Sequence, residues 1–143
     1  MILFCDTSAL MKLYIKEAGS APMVAQAQSA TSLFVAEITW VEMRSALAQR
    51  VRLQSTLAPD ADQALDRLRF EWPQFQKIAA DAKLLDTAGD LAAAFGLRAY
   101  DSVQLAAASA VLRASDGQMR LCCYDRQMNV AAKVLGMAVF SGE

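Results

Sequence analysis

The chain has 143 residues, 55% of them apolar and 20% charged, a composition that suits one compact core and excludes disordered and fibrous classes. A net charge of −1 does not mark a nucleic-acid binder. Histidine is absent, which removes Ser/His/Asp and Cys/His mechanisms and most zinc sites, so any acid, base or metal chemistry must rest on carboxylates.

Taken in chain order, MILFC is a short apolar run ended by Asp6, and its length suits a buried strand better than a helix. From Ser8 the pattern changes: Leu10, Leu13 and Tyr14 recur at helical spacing up to the Gly19-Ser20 break, and residues 20–29 can form a second short helix. Leu33 to Ala36 reads as another buried strand. It leads into a helix from about Trp40 to Arg52, with Val41, Ala46, Leu47 and Val51 on its apolar side. QSTLAPDADQ is expected to be a turn, with Pro59 in the first turn of a helix that runs to about Trp72, ahead of Pro73. Phe75 to Ala79 is expected to be a third strand, and Ala82 to Phe95 a helix capped by Gly96. A helix opens near Asp101 and runs to Arg113. Met119 to Tyr124 reads as a strand, Asp125 to Leu135 as a helix closed by Gly136, and Met137 to Phe140 as the last strand. Short strands alternating with helices predict an α/β fold, a three-layer α/β/α sandwich around a short, mainly parallel five-stranded sheet, in a single domain over 1–143.

Cys5, Cys122 and Cys123 lie in apolar runs with no CxxC pair, which argues for inert core thiols rather than disulfides or zinc ligands. No apolar stretch approaches the ~20 residues needed to span a bilayer, and no basic region precedes the first apolar run. Neither a membrane segment nor a secretory signal is expected, and the expected location is the cytoplasm.

In a parallel sheet covered by helices, ligands bind beyond the carboxyl ends of the strands where strand order reverses. Asp6 ends the first predicted strand and Asp125 the fourth, Glu42 lies in the first turn after the second, and Asp101 opens the helix after LRAY. All four can reach one sheet edge. Each also suits a helix cap: Thr39 with Glu42 and Asp101 with Gln104 have capping-box spacing, and Asp6 and Asp125 suit N-caps. Capping does not require a carboxylate, however, since Ser, Thr and Asn serve nearly as well. Four acids at one edge therefore favour a site. Two like charges ~4 Å apart repel by about 4 kcal/mol at an effective dielectric of ~20, and a divalent cation relieves that repulsion. An all-oxygen donor set favours Mg²⁺ or Mn²⁺, either of which can activate water and stabilise charge on a phosphate. With those four set aside, the remaining acids are outnumbered by the 14 basic side chains, a balance that permits a nucleic-acid partner without marking one.

Four segments, FCDTSALMKLY, AEITWVEMRSAL, LRAYDSVQLAAA and CCYDRQMNVAA, in this order and spacing, give the chain a resemblance to the PIN-domain family over nearly its whole length. It is most similar to the VapC-type toxins of bacterial toxin–antitoxin pairs. The family's acidic residues map onto Asp6, Glu42, Asp101 and Asp125, which the resemblance makes catalytic residues and metal ligands, and its small hydroxyl position maps onto Thr7 and Ser8, for positioning water or substrate. It implies a Mg²⁺- or Mn²⁺-dependent endoribonuclease that hydrolyses RNA in line, leaving a 5′-phosphate and a 3′-hydroxyl. It also implies a homodimer and a cognate antitoxin, docked on helices around Trp40, Met43, Leu47 and Trp72, although an apolar helix face serves core packing equally well and leaves Trp40, Met43 and Leu47 open between the two. Gln104 stands where relatives often carry histidine and is read as peripheral.

Arg44, Arg98 and Arg126, near the acids in sequence, are either solvated or phosphate-holding groups. A competing reading is a catalytically inactive PIN-like module that binds RNA or a partner, although such a module would usually have lost an acid. Phosphatases of the haloacid-dehalogenase type want an acid two residues after the first Asp, where this chain has Ser8. A receiver domain wants an Asp ending the third strand, and no such residue stands there in a strong context.

Overall fold

The structure is a computed structural model that describes residues 1–142, so the last position of the expected 1–143 domain lies outside it. Among the described residues the strands are β1 Ile2–Cys5, β2 Ser32–Ala36, β3 Gln76–Ile78, β4 Met119–Cys122 and β5 Ala138–Phe140. The helices are α1 Thr7–Tyr14, α2 Ser20–Ser29, α3 Thr39–Leu53, α4 Ala58–Glu71, α5 Ala82–Phe95, α6 Ala99–Ala114 and α7 Arg126–Val134. Single 3-10 turns occupy Ser55–Leu57 and Trp72–Gln74.

The five strands form one sheet in the order β3-β2-β1-β4-β5, and every pairing is parallel, so the sheet is wholly rather than mainly parallel. From β1 the chain builds outward through β2 to β3, then crosses back to place β4 on the other side of β1. The reversal of strand order therefore falls between β1 and β4. Alternation along the strands sorts the core onto the two sheet faces. Leu3, Cys5, Val35 and Cys122 pack with Leu10, Met23, Met43, Leu47 and Leu68 from α1 to α4. Phe4, Leu121 and Cys123 pack with Leu105, Ala108 and Val111 of α6 and Met128 and Ala132 of α7. The three cysteines are free and buried.

Helix boundaries differ from the sequence expectations where local signals were ambiguous. The expected turn through residue 63 ends early, because Pro59 serves the first turn of α4 from Ala58. Helix α6 starts at Ala99, so Asp101 sits inside its first turn rather than at its mouth. Val41, assigned to the apolar side of α3, is exposed, and the buried stripe is Thr39, Met43 and Leu47. Of the two readings open for Met43 and Leu47, core packing and partner surface, their burial selects the core. Trp40 and Trp72 are partly buried and pack ring against ring at 5.4 Å.

Candidate active site

Asp6 leaves the end of β1 in extended conformation and caps α1. Its Oδ1 accepts the Ala9 N–H at 3.0 Å and the Ser8 hydroxyl at 2.7 Å. Ser8 Oγ in turn accepts the Tyr124 N–H at 3.0 Å, which ties the start of α1 to the chain leaving β4. The carboxyl is buried, and that burial raises its pKa from 3.8 to about 6. Hydrogen bonds from Cys123, Ser8 and Ala9 oppose the rise, and the charge on Glu42 adds to it.

Glu42 is held from two sides. The Thr7 hydroxyl donates to its Oε1 at 2.9 Å, and Gln104 Nε2 donates to the same oxygen at 2.7 Å. Gln104 Nε2 also lies 2.8 Å from Thr39 Oγ1 and 3.3 Å from Thr7 Oγ1. An amide has two protons, so the two shorter contacts take them. The two capping boxes are thus overturned. Helix α3 carries no side-chain cap, and Thr39 and Glu42 are turned toward Gln104 instead. Helix α6 likewise lacks a side-chain cap. Gln104, read from sequence as peripheral, is a buried residue that links Glu42 to Thr39. Its spacing from Asp101, three residues along one helix, was the signal that both face the same edge.

Asp101 and Asp125 share a cation. Arg98 Nε lies 3.1 Å from Asp101 Oδ2, and its Nη2 lies 3.8 Å from Asp125 Oδ2. Asp125 caps α7, with Oδ1 accepting the Met128 N–H at 2.8 Å, and its own N–H donates to Cys123 Sγ at 3.3 Å. Burial first, and then the charge on Asp6, push the Cys123 thiol well above its ordinary range, so it stays protonated beside these acids. Of the three arginines singled out from sequence, Arg98 reaches the acids, whereas Arg44 lies over the Trp40 ring.

These contacts close a ring together with three stretches of the chain itself, Tyr124 to Asp125, Asp101 to Gln104 and Thr7 to Asp6. Asp6 leads through Ser8 to Tyr124 and Asp125, through Arg98 to Asp101, along α6 to Gln104, and through Glu42 and Thr7 back to Asp6. The ring stands at the carboxyl ends of β1 and β4, at the reversal of strand order. Among the described residues, no three acids or cysteines stand close enough together to hold one ion as the side chains lie. The donors suit a hard divalent cation in chemical type: all are oxygens, Asp6 is a buried carboxyl with no basic group bonded to it, and a guanidinium already neutralises two of the others.

Comparison with known proteins bears on the family and the fold. The pattern of the PIN domain family matches residues 3–133. Ribonuclease VapC46 of Mycobacterium tuberculosis (strain ATCC 25618 / H37Rv) is 31% identical over 139 residues, covering 97% of this chain and 96% of its own length. The chain therefore belongs to the PIN-domain family, and its relatives at this identity are VapC ribonucleases. Among solved structures, PAE2754 from Pyrobaculum aerophilum superposes with a TM-score of 0.68 at 22% identity, covering 97% of this chain and 89% of that one. A toxin–antitoxin complex from Klebsiella pneumoniae contains a chain with a TM-score of 0.65 at 17% identity, covering 100% of this chain and 98% of that one. At these identities the two structures speak for the fold alone.

Proposed function

We propose that the protein is a divalent-metal-dependent endoribonuclease, the toxin of a type II toxin–antitoxin pair, acting at a site formed by Asp6, Glu42, Asp101 and Asp125. The observation that carries this reading is the circuit of side-chain contacts and chain neighbours that links the four acids at the switch point of a parallel sheet, in a chain without histidine. Mg²⁺ or Mn²⁺ bound there would supply Lewis-acid stabilisation of phosphate charge and a more acidic water.

The chain's own side chains orient the ligands. Ser8 and the Ala9 N–H fix the rotamer of Asp6, while Thr7 and Gln104 fix that of Glu42. Arg98 offsets the charge on Asp101 and Asp125, and its release from them would free their outer oxygens. A toxin of this kind implies an antitoxin partner, in keeping with the VapC ribonucleases to which the chain is 30–31% identical. A homodimer and a cytoplasmic location complete the proposal. No described helix is long and apolar enough to cross a membrane.

The purified chain, incubated with total RNA and Mn²⁺, should cleave it, and Asp6→Asn should not. The second reading, a non-cleaving RNA- or partner-binding module, is favoured by the lack, among the described residues, of three acids within reach of one ion as the side chains lie. RNA binding without cleavage at any Mn²⁺ concentration would select it.

A further inference from the structure

Beside the acids, between α1 and α3, lies a cavity of about 290 Å³ whose lining includes Thr7, Ser8, Lys12, Glu17, Ala46 and Arg50. Helical geometry makes it an extension of the acid site. Ser8 and Lys12 stand one turn apart on α1, and Glu42, Ala46 and Arg50 follow one another at single-turn spacing on α3. Each helix thus presents a site residue first and a cation one or two turns further along, ~6 Å on α1 and ~12 Å on α3 at 1.5 Å per residue.

The two cations are held in place. Lys12 Nζ lies 3.1 Å from Glu17 Oε1 and 4.6 Å from the centre of the Tyr124 ring, and its side chain is only 15% exposed. Gly19, at φ 88°, lies so near the lysine stem that a Cβ there would come within 3.1 Å of Lys12 Cδ and 3.2 Å of Tyr124 Cε1. Arg50 Nη2 bonds the other oxygen of Glu17 at 2.9 Å. Arg50 Nη1 is buried and has no hydrogen-bond partner among the described residues. Two cations against one carboxylate leave a net positive charge, with a guanidinium donor unspent. An unpaired buried donor is costly, so a ligand toward which the guanidinium turns to donate that hydrogen bond would bind with that cost recovered.

We propose that this cavity is a phosphate subsite, in which Lys12 and Arg50 bind a backbone phosphate of single-stranded RNA next to the one being cleaved, with Glu17 as the internal anion that orients both cations. The proposal rests on the ribonuclease reading. A lysine supplies a point charge and an arginine a planar fork, a pairing suited to phosphate oxygens. Because phosphate contacts position the strand without reading bases, this subsite sets register and affinity and leaves sequence preference to other surfaces.

The charges give the test its sign. Binding of a labelled single-stranded RNA by the full chain is measured in EDTA over a range of salt, and KM and kcat for cleavage are measured in Mn²⁺. Lys12→Gln and Arg50→Gln should each weaken binding several-fold, reduce the log–log salt slope by about 0.7, and raise KM more than they lower kcat. Lys12→Arg should keep the slope, and Lys83→Gln, on the exposed side of α5, should change nothing. Glu17→Gln should tighten binding and steepen the slope. A purely structural ion triad predicts the opposite for that variant, with all three losses tracking the thermal midpoint, and that result would overturn the subsite. Wild-type cleavage with Lys12→Gln and Arg50→Gln at wild-type KM and slope would overturn the subsite alone. A wild-type chain that neither binds nor cleaves RNA would overturn the ribonuclease reading together with it.

Discussion

The two halves of the acid ring are built on different principles. Asp6 and Glu42 belong to a closed hydrogen-bond network in which Thr7, Ser8 and Gln104 determine where each carboxylate points. Asp101 and Asp125 are 23% and 34% exposed and share an arginine that is itself 83% exposed. The first half is preorganised and the second is adjustable. If a cation binds between them, the buried half receives it and the exposed half closes on it. The largest effect should therefore follow from damage to the buried half. Asp6→Asn is expected to lower kcat with Mn²⁺ by about 10³-fold or more, since several kcal/mol of electrostatic stabilisation are lost, and a single-turnover cleavage assay measures it directly.

The same residue links the site to stability with a definite sign. Folding raises the Asp6 pKa from 3.8 to about 6, so the folded state holds its proton more tightly than the unfolded state. In metal-free protein the resulting stabilisation is fully present below pH 3.8 and is lost as pH rises through about 6. A shift of this size corresponds to roughly 3 kcal/mol. Thermal midpoints in EDTA should thus show wild type losing ground to Asp6→Asn between pH 4 and pH 7, to a similar or higher midpoint for the variant at pH 7. Saturating Mn²⁺ should reverse the order, because a cation favours the carboxylate over the acid. Equal midpoints at every pH would mean that the carboxyl is better solvated than its burial indicates.

How much of this was legible in the sequence follows the same division. Asp6 and Asp125 were readable because a carboxylate ending an apolar strand before a helical pattern has two local signatures, strand end and N-cap, and both residues do cap their helices. The strand and helix order was readable for the same reason, since alternation between apolar runs and helical periodicity is local. The contacts of Thr39, Glu42 and Gln104 were not. Their spacing satisfies the capping-box pattern, but 62 residues separate Glu42 from Gln104, and only the packing of α6 on the face of the sheet brings the amide to the acid. Tertiary contact overrode a local rule, and Gln104 went from peripheral to central.

Gln104 is accordingly the next place to break the preorganised half. Gln104→Leu keeps much of the side-chain volume but leaves Glu42 and Thr39 without their shared donor. The expected result is a loss of about 1 to 3 kcal/mol in urea denaturation. Cleavage or Mn²⁺ affinity should fall by ~10 to 100-fold, as for other residues that orient ligands from behind. Gln104→Glu separates orientation from charge, because it places a second anion against Glu42. It should damage the metal-free fold more than the metal-bound one, which calorimetry with and without Mn²⁺ would resolve.

The smallest effect is expected at the adjustable half, and its direction is the informative part. Arg98 bonds two of the four acids from a solvent-exposed position, and exposed ion pairs contribute about 0 to 1 kcal/mol to stability, so Arg98→Gln should leave the thermal midpoint nearly unchanged. It also removes the positive charge with which a divalent cation must compete for Asp101 and Asp125. Titration calorimetry should then show Mn²⁺ binding tightened several-fold at low salt, with the gain shrinking as salt screens the pair. Were Arg98 instead a brace that holds the two acids in place for the ion, the same substitution would weaken Mn²⁺ binding. The sign of that one measurement decides whether the exposed half of the ring is a latch or a scaffold.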